Sequence, residues 1–264
     1  MVNVIILFNI QEIKMNEFNF YQQFNLKHDE RFIIVGDVHG DYKGLQEILK
    51  QNNILKNTHI FGVGDVIDRG LNSAACLNEF LYNEYYHSVL GNHEKMMIDS
   101  IDKNTRLHWE YQNGGKSTVN ELGEAGFLHY RKEIMQNFPY IIEINHRGKK
   151  FGIVHAGIEV GRNHNDPNFP QEWENIVKLA EQEEYYRYNM LWDRDVIKKV
   201  VNGEGNLIPR VEGVDYVIHG HTPVSEPLIH ENRIWIDTNF ISNTLTLAEF
   251  NHDIDDWEFH QLYY

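Results

Sequence analysis

Three short apolar runs, each closing on a glycine-containing acidic or amide turn, constrain this chain more than any other feature of its sequence. They read RFIIVGDVHG (31–40), HIFGVGDVIDRG (59–70) and HSVLGNHE (87–94). Between them lie DYKGLQEILKQNNI, with apolar residues at Leu45, Ile48 and Leu49, and LNSAACLNEFLY, both of helical period. Strand and helix alternating in this way predict a βαβαβ series, and hence a mostly parallel sheet. Another helix is expected to start near Glu94.

Residues 100–138 are rich in helix formers and contain the turn NGG at 113–115. YIIEINHRGKKFGIVHAG then reads as a hairpin turning at Arg147–Gly148. Residues 171–200 look helical, and 200–212 form a polar loop with two glycines. VDYVIHGHT, NRIWIDT, TLTLAEF and WEFHQLYY read as closing strands. The expected fold is α/β, with two packed mixed sheets flanked by helices. A length of 264 residues suits one large domain, assigned to 31–264. Residues 1–30 form an extension without an assigned role. Its VNVIILFNI segment reads either as an added strand or as residues upstream of a second start at Met15.

A formal charge of −15 argues against a general nucleic-acid binder, which needs Lys and Arg to displace phosphate counterions. No stretch approaches the ~20 apolar residues needed to span a bilayer, and the opening segment lacks the marks of a secretory signal. The only cysteine, Cys76, excludes an intrachain disulfide and suits a reducing cytoplasm. In its AACL setting it reads as an inert helix-face thiol.

The chemistry gathers where strands end. Ligands of open α/β sheets bind at the carboxyl ends of strands, so GDVHG, GDVIDRG and GNHE side by side would face one crevice. Asp37 and His39 can share one cation, and Asp65 can bridge two through its two oxygens. Asn92 adds a neutral oxygen, while HAG (155–157) and HGHT (219–222) bring His155 and His221. Such an oxygen and nitrogen set without sulfur suits Mn²⁺ first, with Fe, Zn²⁺, Ni²⁺ or Co²⁺ as alternatives to it. Two such ions roughly 3.5–4 Å apart can share a hydroxide and hold phosphoryl oxygens for in-line attack. A lone GD turn is ordinary loop chemistry. Five strand-end junctions in order, each with a hard or imidazole ligand, are hard to obtain from loops alone. Most of the other histidines read as surface or capping residues, and His219 is the closest rival to the ligands.

GDVHG, GDVIDRG, GNHE, HAG and GHTP, in this order and spacing, resemble the phosphoprotein phosphatase family of metallophosphoesterases. The likeness is nearest to its bacterial and bacteriophage lambda-type serine/threonine phosphatases. It spans about residues 32–250, with W(x₃)NGG at 109–115 and LWDR at 191–194. The resemblance implies that Asp37, His39 and Asp65 hold one metal, and Asp65, Asn92, His155 and His221 the other. Arg69 and Arg194 would clamp the substrate phosphate, a planar guanidinium matching phosphoryl oxygens in pairs. His93 would be the general acid, oriented and raised in pKa by Asp68. Two departures stand out: Asn239 replaces a glycine usual in relatives, and HAG replaces the HGG of eukaryotic members, which points to the bacterial or phage-like branch. Pro223 stands where many broader metallophosphoesterases place another histidine ligand, which supports this family over cyclic-nucleotide phosphodiesterase relatives.

The activity expected from the resemblance is hydrolysis of phosphoserine and phosphothreonine in proteins, with phosphotyrosine and phosphohistidine as further candidates. A symmetrical dinucleoside tetraphosphatase shares the HAGI sequence at 155–158, but such enzymes usually carry alanine where Asp68 stands. A silent metal-binding scaffold is the alternative of another class. Decay normally removes a ligand or the acid, and none is missing.

Overall fold

A strand apolar along its whole length needs cover on both faces, and Phe32–Val35 is buried throughout. The computed structural model describes residues 18–158 and 172–263. In chain order the elements are β1 (Tyr21–Asn25), β2 (Phe32–Val35), α1 (Tyr42–Gln51), β3 (His59–Gly62), α2 (Ser73–Tyr82) and β4 (Tyr86–Ser88). Next come α3 (Asn92–Asp99), α4 (Lys103–Gln112), α5 (Lys116–Asn137), β5 (Ile141–His146) and β6 (Lys149–Ile153). The chain continues through α6 (Trp173–Gln182), α7 (Glu184–Trp192), α8 (Asp195–Val201), β7 (Tyr216–His219), β8 (Leu228–His230) and β9 (Arg233–Trp235). It closes with α9 (Asn239–Ser242), β10 (Thr244–Asn251) and β11 (Asp256–Tyr263).

Two mixed sheets result, as expected. One has the order β11-β10-β2-β3-β4, the other β1-β5-β6-β7-β9-β8. The strands β2, β3 and β4 are parallel, and β10 runs antiparallel to β2. In the second sheet β6, β7 and β9 are parallel neighbours. Five of these six parallel strands, all but β9, lead into motif-bearing turns, and β9 leads into Asp237; these turns open on one edge of the molecule.

Alternation along β2 builds two cores. Phe32 and Ile34 point between the sheets, where they join Phe61, Ile142, Phe151 and Ile234. Ile33 and Val35 point outward against Leu45, Ile48, Leu77 and Phe80 of the helices. Cys76 is buried in this outer layer and unbridged. Among the described residues no helix is long and apolar enough to cross a membrane.

The sequence-based boundaries differ from the structure in places. The extension contributes β1, which pairs parallel with β5 at the sheet edge. Its amide-rich sequence YQQFN has no buried face to betray it. VNVIILFNI lies outside the described residues, as does 159–171. The three-residue strand β8 is too short to carry a period. Helix α3 starts at Asn92 rather than Glu94, because the Glu94 side chain reaches back to the Gly91 amide at 3.0 Å and closes the cap.

Between the sheets the His87 ring lies 4.3 Å from the Phe24 ring and 4.9 Å from Phe61. Burial first, and the neighbouring His59 second, push His87 down to about 4. A histidine held neutral in the fold but titrating near ~6.5 when unfolded favours unfolding as it gains a proton. Its contribution is intact above pH ~6.5 and fades as the pH falls toward about 4. Denaturant unfolding at pH 7 and pH 4.5 should therefore show a loss of stability that shrinks in His87→Gln by order 2 kcal/mol. Equal losses in both proteins would contradict this.

Candidate active site

The turns at the strand ends are laced together before any side chain is considered. The amides of Val38 and His39 both donate to the Asp65 carbonyl, at 3.1 and 2.8 Å, and Gly40 N donates to Val66 O. The Glu94 carboxylate accepts the amides of Asp65, Val66 and Ile67 at 2.9, 2.8 and 3.1 Å, besides that of Gly91. A side chain at position 91 would run into the Asp65 amide and carboxylate, so glycine is required there by space. The lacing forces unusual backbone. Ten described non-glycine residues adopt positive φ, and His39, Asp65, Asp68, Arg69 and His221 are among them. Half of these strained positions are thus site residues, the pattern expected where function overrides local preference.

Two groups of buried side chains meet at Asp65: His39, Asp65 and His93, and Asp65, His155 and His221. Asn92 Oδ1 sits 2.9 Å from both His155 Nε2 and His221 Nδ1. Asp37 lies beside these groups, its carboxylate accepting the His221 amide at 3.1–3.2 Å. Of the six predicted ligands, His39, Asp65, His155 and His221 fall in these two groups and Asn92 stands against the second, while Asp37 belongs to neither and His93 takes a full place in the first. His219 is excluded. Its Nδ1 bonds the Val154 carbonyl at 2.8 Å and its ring stacks on Trp235 in the core.

The protonation pattern fits a cation. His155 Nδ1 donates to Val63 O at 2.6 Å, so its Nε2 lone pair faces Asn92 Oδ1 and, at 3.4 Å, Asp65 Oδ1. Three acceptors converging in a buried space are mutually repulsive unless a positive centre lies between them. His39 Nδ1 likewise donates to Ile67 O, at 3.0 Å. Burial pushes His39 down to about 3 and His221 down to about 2, and it lowers His155 also. Burial opposes the charge on Asp65, but His155, His93 and His39 outweigh it and hold this carboxyl well below the usual range. Burial strips the proton from His39, His155 and His221, and a divalent cation would supply in its place the positive charge that holds Asp65 ionised, so the donor set suits hard divalent ions. Burial, then the charges of Asp237 and Asp65, push Asp37 up. That repulsion is what a bound cation would relieve.

His93 differs from the other three imidazoles. Burial opposes its charge, but Asp65 and Asp68 prevail and raise its pKa. Its Nδ1 donates to Asp68 Oδ2 at 2.7 Å. The same carboxylate accepts Trp109 Nε1 and Thr118 Oγ1, each at 2.6 Å, so Asp68 is fully satisfied without water. Gly115 packs directly on the Trp109 ring, where any side chain would collide, which accounts for W(x₃)NGG. Arg69 reaches His39 Nε2 at 2.7 Å and His93 Nε2 at 3.1 Å. Arg194 approaches from the far side, its Nε donating to His221 Nε2 at 3.2 Å. These residues and Asp237 line a cavity of about 170 Å³.

Sequence reasoning missed Asp237, Glu94 and Thr118. Asp237 follows a strand, as the other acids do, and could have been found by the same rule. Burial pushes it up to about 6. Thr118 lies on α5, 50 residues from Asp68, and no local signal marks it. Replacing Glu94 by Gln keeps its shape but turns an amide group toward backbone donors. Leaving buried N–H groups unpaired should lower unfolding stability by about 2–4 kcal/mol in denaturant titrations. A change within 0.5 kcal/mol, the usual range of surface substitutions, would show that the lacing contributes little.

Known proteins similar to this chain share one family, though not one named activity: the structures that superpose on it include a putative diadenosine tetraphosphatase, with a TM-score of 0.60 at 19% identity, covering 90% of this chain and 97% of that one. The calcineurin-like phosphoesterase family model matches residues 30–225. The chain is 31% identical to serine/threonine-protein phosphatase 2 of Escherichia coli strain K12 over 223 residues, covering 83% of this chain and 91% of that one. It is 28% identical to serine/threonine-protein phosphatase 1 of Salmonella typhimurium strain LT2, covering 86% and 95%. A protein serine/threonine phosphatase structure from Saccharomyces cerevisiae superposes with a TM-score of 0.61 at 10% identity, covering 95% of this chain and 85% of that one. The chain is therefore a hydrolase of the calcineurin-like phosphoesterase family, within its phosphoprotein phosphatase branch.

Proposed function

We propose that this chain removes phosphate from serine and threonine residues of proteins, using two divalent cations of which Mn²⁺ suits the site best. The observation that carries this reading is the buried Asp68–His93 pair at 2.7 Å, flanked by Arg69. A phosphomonoester leaves a poorly stabilised alkoxide, and a positioned acid is what such a leaving group needs. Tetraphosphatases usually lack an acid at position 68, so the pair counts against that alternative. An intact set of ligands, arginines and acid likewise counts against a silent scaffold.

In this reading Asp37, His39 and Asp65 hold one cation, and Asp65, Asn92, His155 and His221 hold the other. When bound, the cations supply a nucleophile from water at neutral pH and neutralise phosphoryl charge. The remaining work falls to the protein. Arg69 and Arg194 grip phosphoryl oxygens from opposite sides of the cavity and fix the phosphorus in line. His93, held in register through Nδ1 by Asp68, delivers a proton from Nε2 to the departing oxygen once Arg69, a donor set against that nitrogen in the free site, turns to the phosphate. Trp109 and Thr118 in turn hold Asp68. We assign this activity to a single domain, residues 31–264, with β1 added at its edge. The unbridged Cys76 supports a reducing compartment, the cytoplasm.

The test compares a phosphoserine peptide, an aryl phosphate and diadenosine tetraphosphate, each with Mn²⁺ at matched enzyme concentration. The peptide and the aryl phosphate should be hydrolysed, and Asp65→Asn should abolish both activities. His93→Asn should slow the peptide by about 10²–10⁴-fold and the aryl phosphate, whose leaving group needs less help, by less. A full rate for His93→Asn on the peptide would remove it as the acid. Preferred cleavage of the tetraphosphate would overturn the protein-phosphatase reading.

A further inference from the structure

The cavity that holds the two arginines is not the whole of the cleft. A second cavity of about 510 Å³ adjoins it, and His39 and Arg69 line both. Leu71 and Phe240 stand on its walls with 83% and 76% of their surfaces exposed. Single exposed apolar side chains are ordinary, but two on the walls of one cavity that adjoins the arginines are placed where a ligand could cover them together.

Both are displayed by anchored backbone. The turn before Leu71 is pinned by Gly70 N to His39 O, and the residue after it by Asn72 N to Gly40 O, each at 3.0 Å. Phe240 rides on α9, the segment where Asn239 replaces the glycine usual in relatives. The Asn239 side chain donates to the Asp37 carbonyl at 3.3 Å, and the Ser242 hydroxyl donates to the Ser225 carbonyl at 2.6 Å. The same substitution thus ties the floor of the metal site to the segment that carries Phe240. Lys43, exposed on α1, lines the second cavity and enters no ion pair among the described residues.

We propose that this second cavity seats the peptide flanking the phosphorylated residue, with a large apolar side chain between Leu71 and Phe240 and an acidic one at Lys43. The inference rests on the protein-phosphatase reading and adds a sequence preference to it. A peptide suits the walls better than a nucleotide base. There is one exposed ring and one aliphatic side chain, not a pair of rings, and the side-chain amides of Asn72 and Asn243 match a peptide backbone.

The experiment measures kcat/KM, with Mn²⁺, on phosphoserine peptides that differ only beside the phosphoserine. One carries Leu and Glu there, one Gly and Gly, one Leu and Lys, and p-nitrophenyl phosphate serves as the small control. The Leu–Glu peptide should exceed the Gly–Gly peptide by about tenfold, the amount expected from covering one large apolar side chain. Leu71→Ser and Phe240→Ser should each remove most of that advantage, and Leu71→Ser should leave the rate on p-nitrophenyl phosphate unchanged. Lys43→Glu should reverse the preference between the Leu–Glu and Leu–Lys peptides. Equal rates on the first two peptides in the unaltered chain would overturn the proposal, as would a preference that survives both serine substitutions. Failure to hydrolyse any of the peptides, with diadenosine tetraphosphate still cleaved, would overturn the underlying reading as well.

Discussion

Buried carboxylates at the strand ends must find compensating charge or donors, and how each does so organises this molecule. Glu94 and Asp68 are satisfied by the protein itself, Glu94 by four backbone amides and Asp68 by His93, Trp109 and Thr118. Asp37, Asp65 and Asp237 are not so well supplied, each accepting a single backbone amide, from His221, His93 and Asn239. An isolated ionised carboxylate in such a setting costs far more than a hydrogen bond returns. The division separates the site into a permanently braced frame and a group of acids that face imidazole lone pairs. The first fixes the geometry, and the second is where the proposed cations belong.

The brace also explains the strained backbone. His39, Asp65, Asp68, Arg69 and His221 hold left-handed conformations that cost of order 1–3 kcal/mol each without glycine. Their turns persist because neighbouring amides and the Glu94 carboxylate over-determine them. In return, side chains from consecutive residues diverge. Asp68 turns inward to His93, while its neighbour Arg69 reaches across to His39 and the cavity.

Much of this is legible in the sequence. The runs β2 and β3 are apolar on both faces and end in glycine turns, so their place inside a covered sheet follows from burial alone. The strand-end rule put Asp37, Asp65, Asn92, His155 and His221 on one edge, where the structure gathers them. What stayed hidden depends on distant parts of the chain or on elements too short to carry a period. Strand β8 has three residues, and β1 is a polar edge strand recognisable only through its pairing with β5. Thr118 meets Asp68 only because α5 folds back over the DRG turn. The ring of His219, two residues from His221, is turned into the core by the carbonyl of Val154, the residue after β6, a contact between two interior strands of the second sheet that spacing does not encode.

The central claim is that Asp65 stands between two cations. Crystals of the chain equilibrated with Mn²⁺ and measured at the manganese absorption edge would test it directly. The account predicts two anomalous peaks per chain, one beside His39 and one beside His155 and His221, roughly 3.5–4 Å apart and sharing the Asp65 carboxylate. A single peak, or two peaks with Asp65 bound to neither, would contradict it.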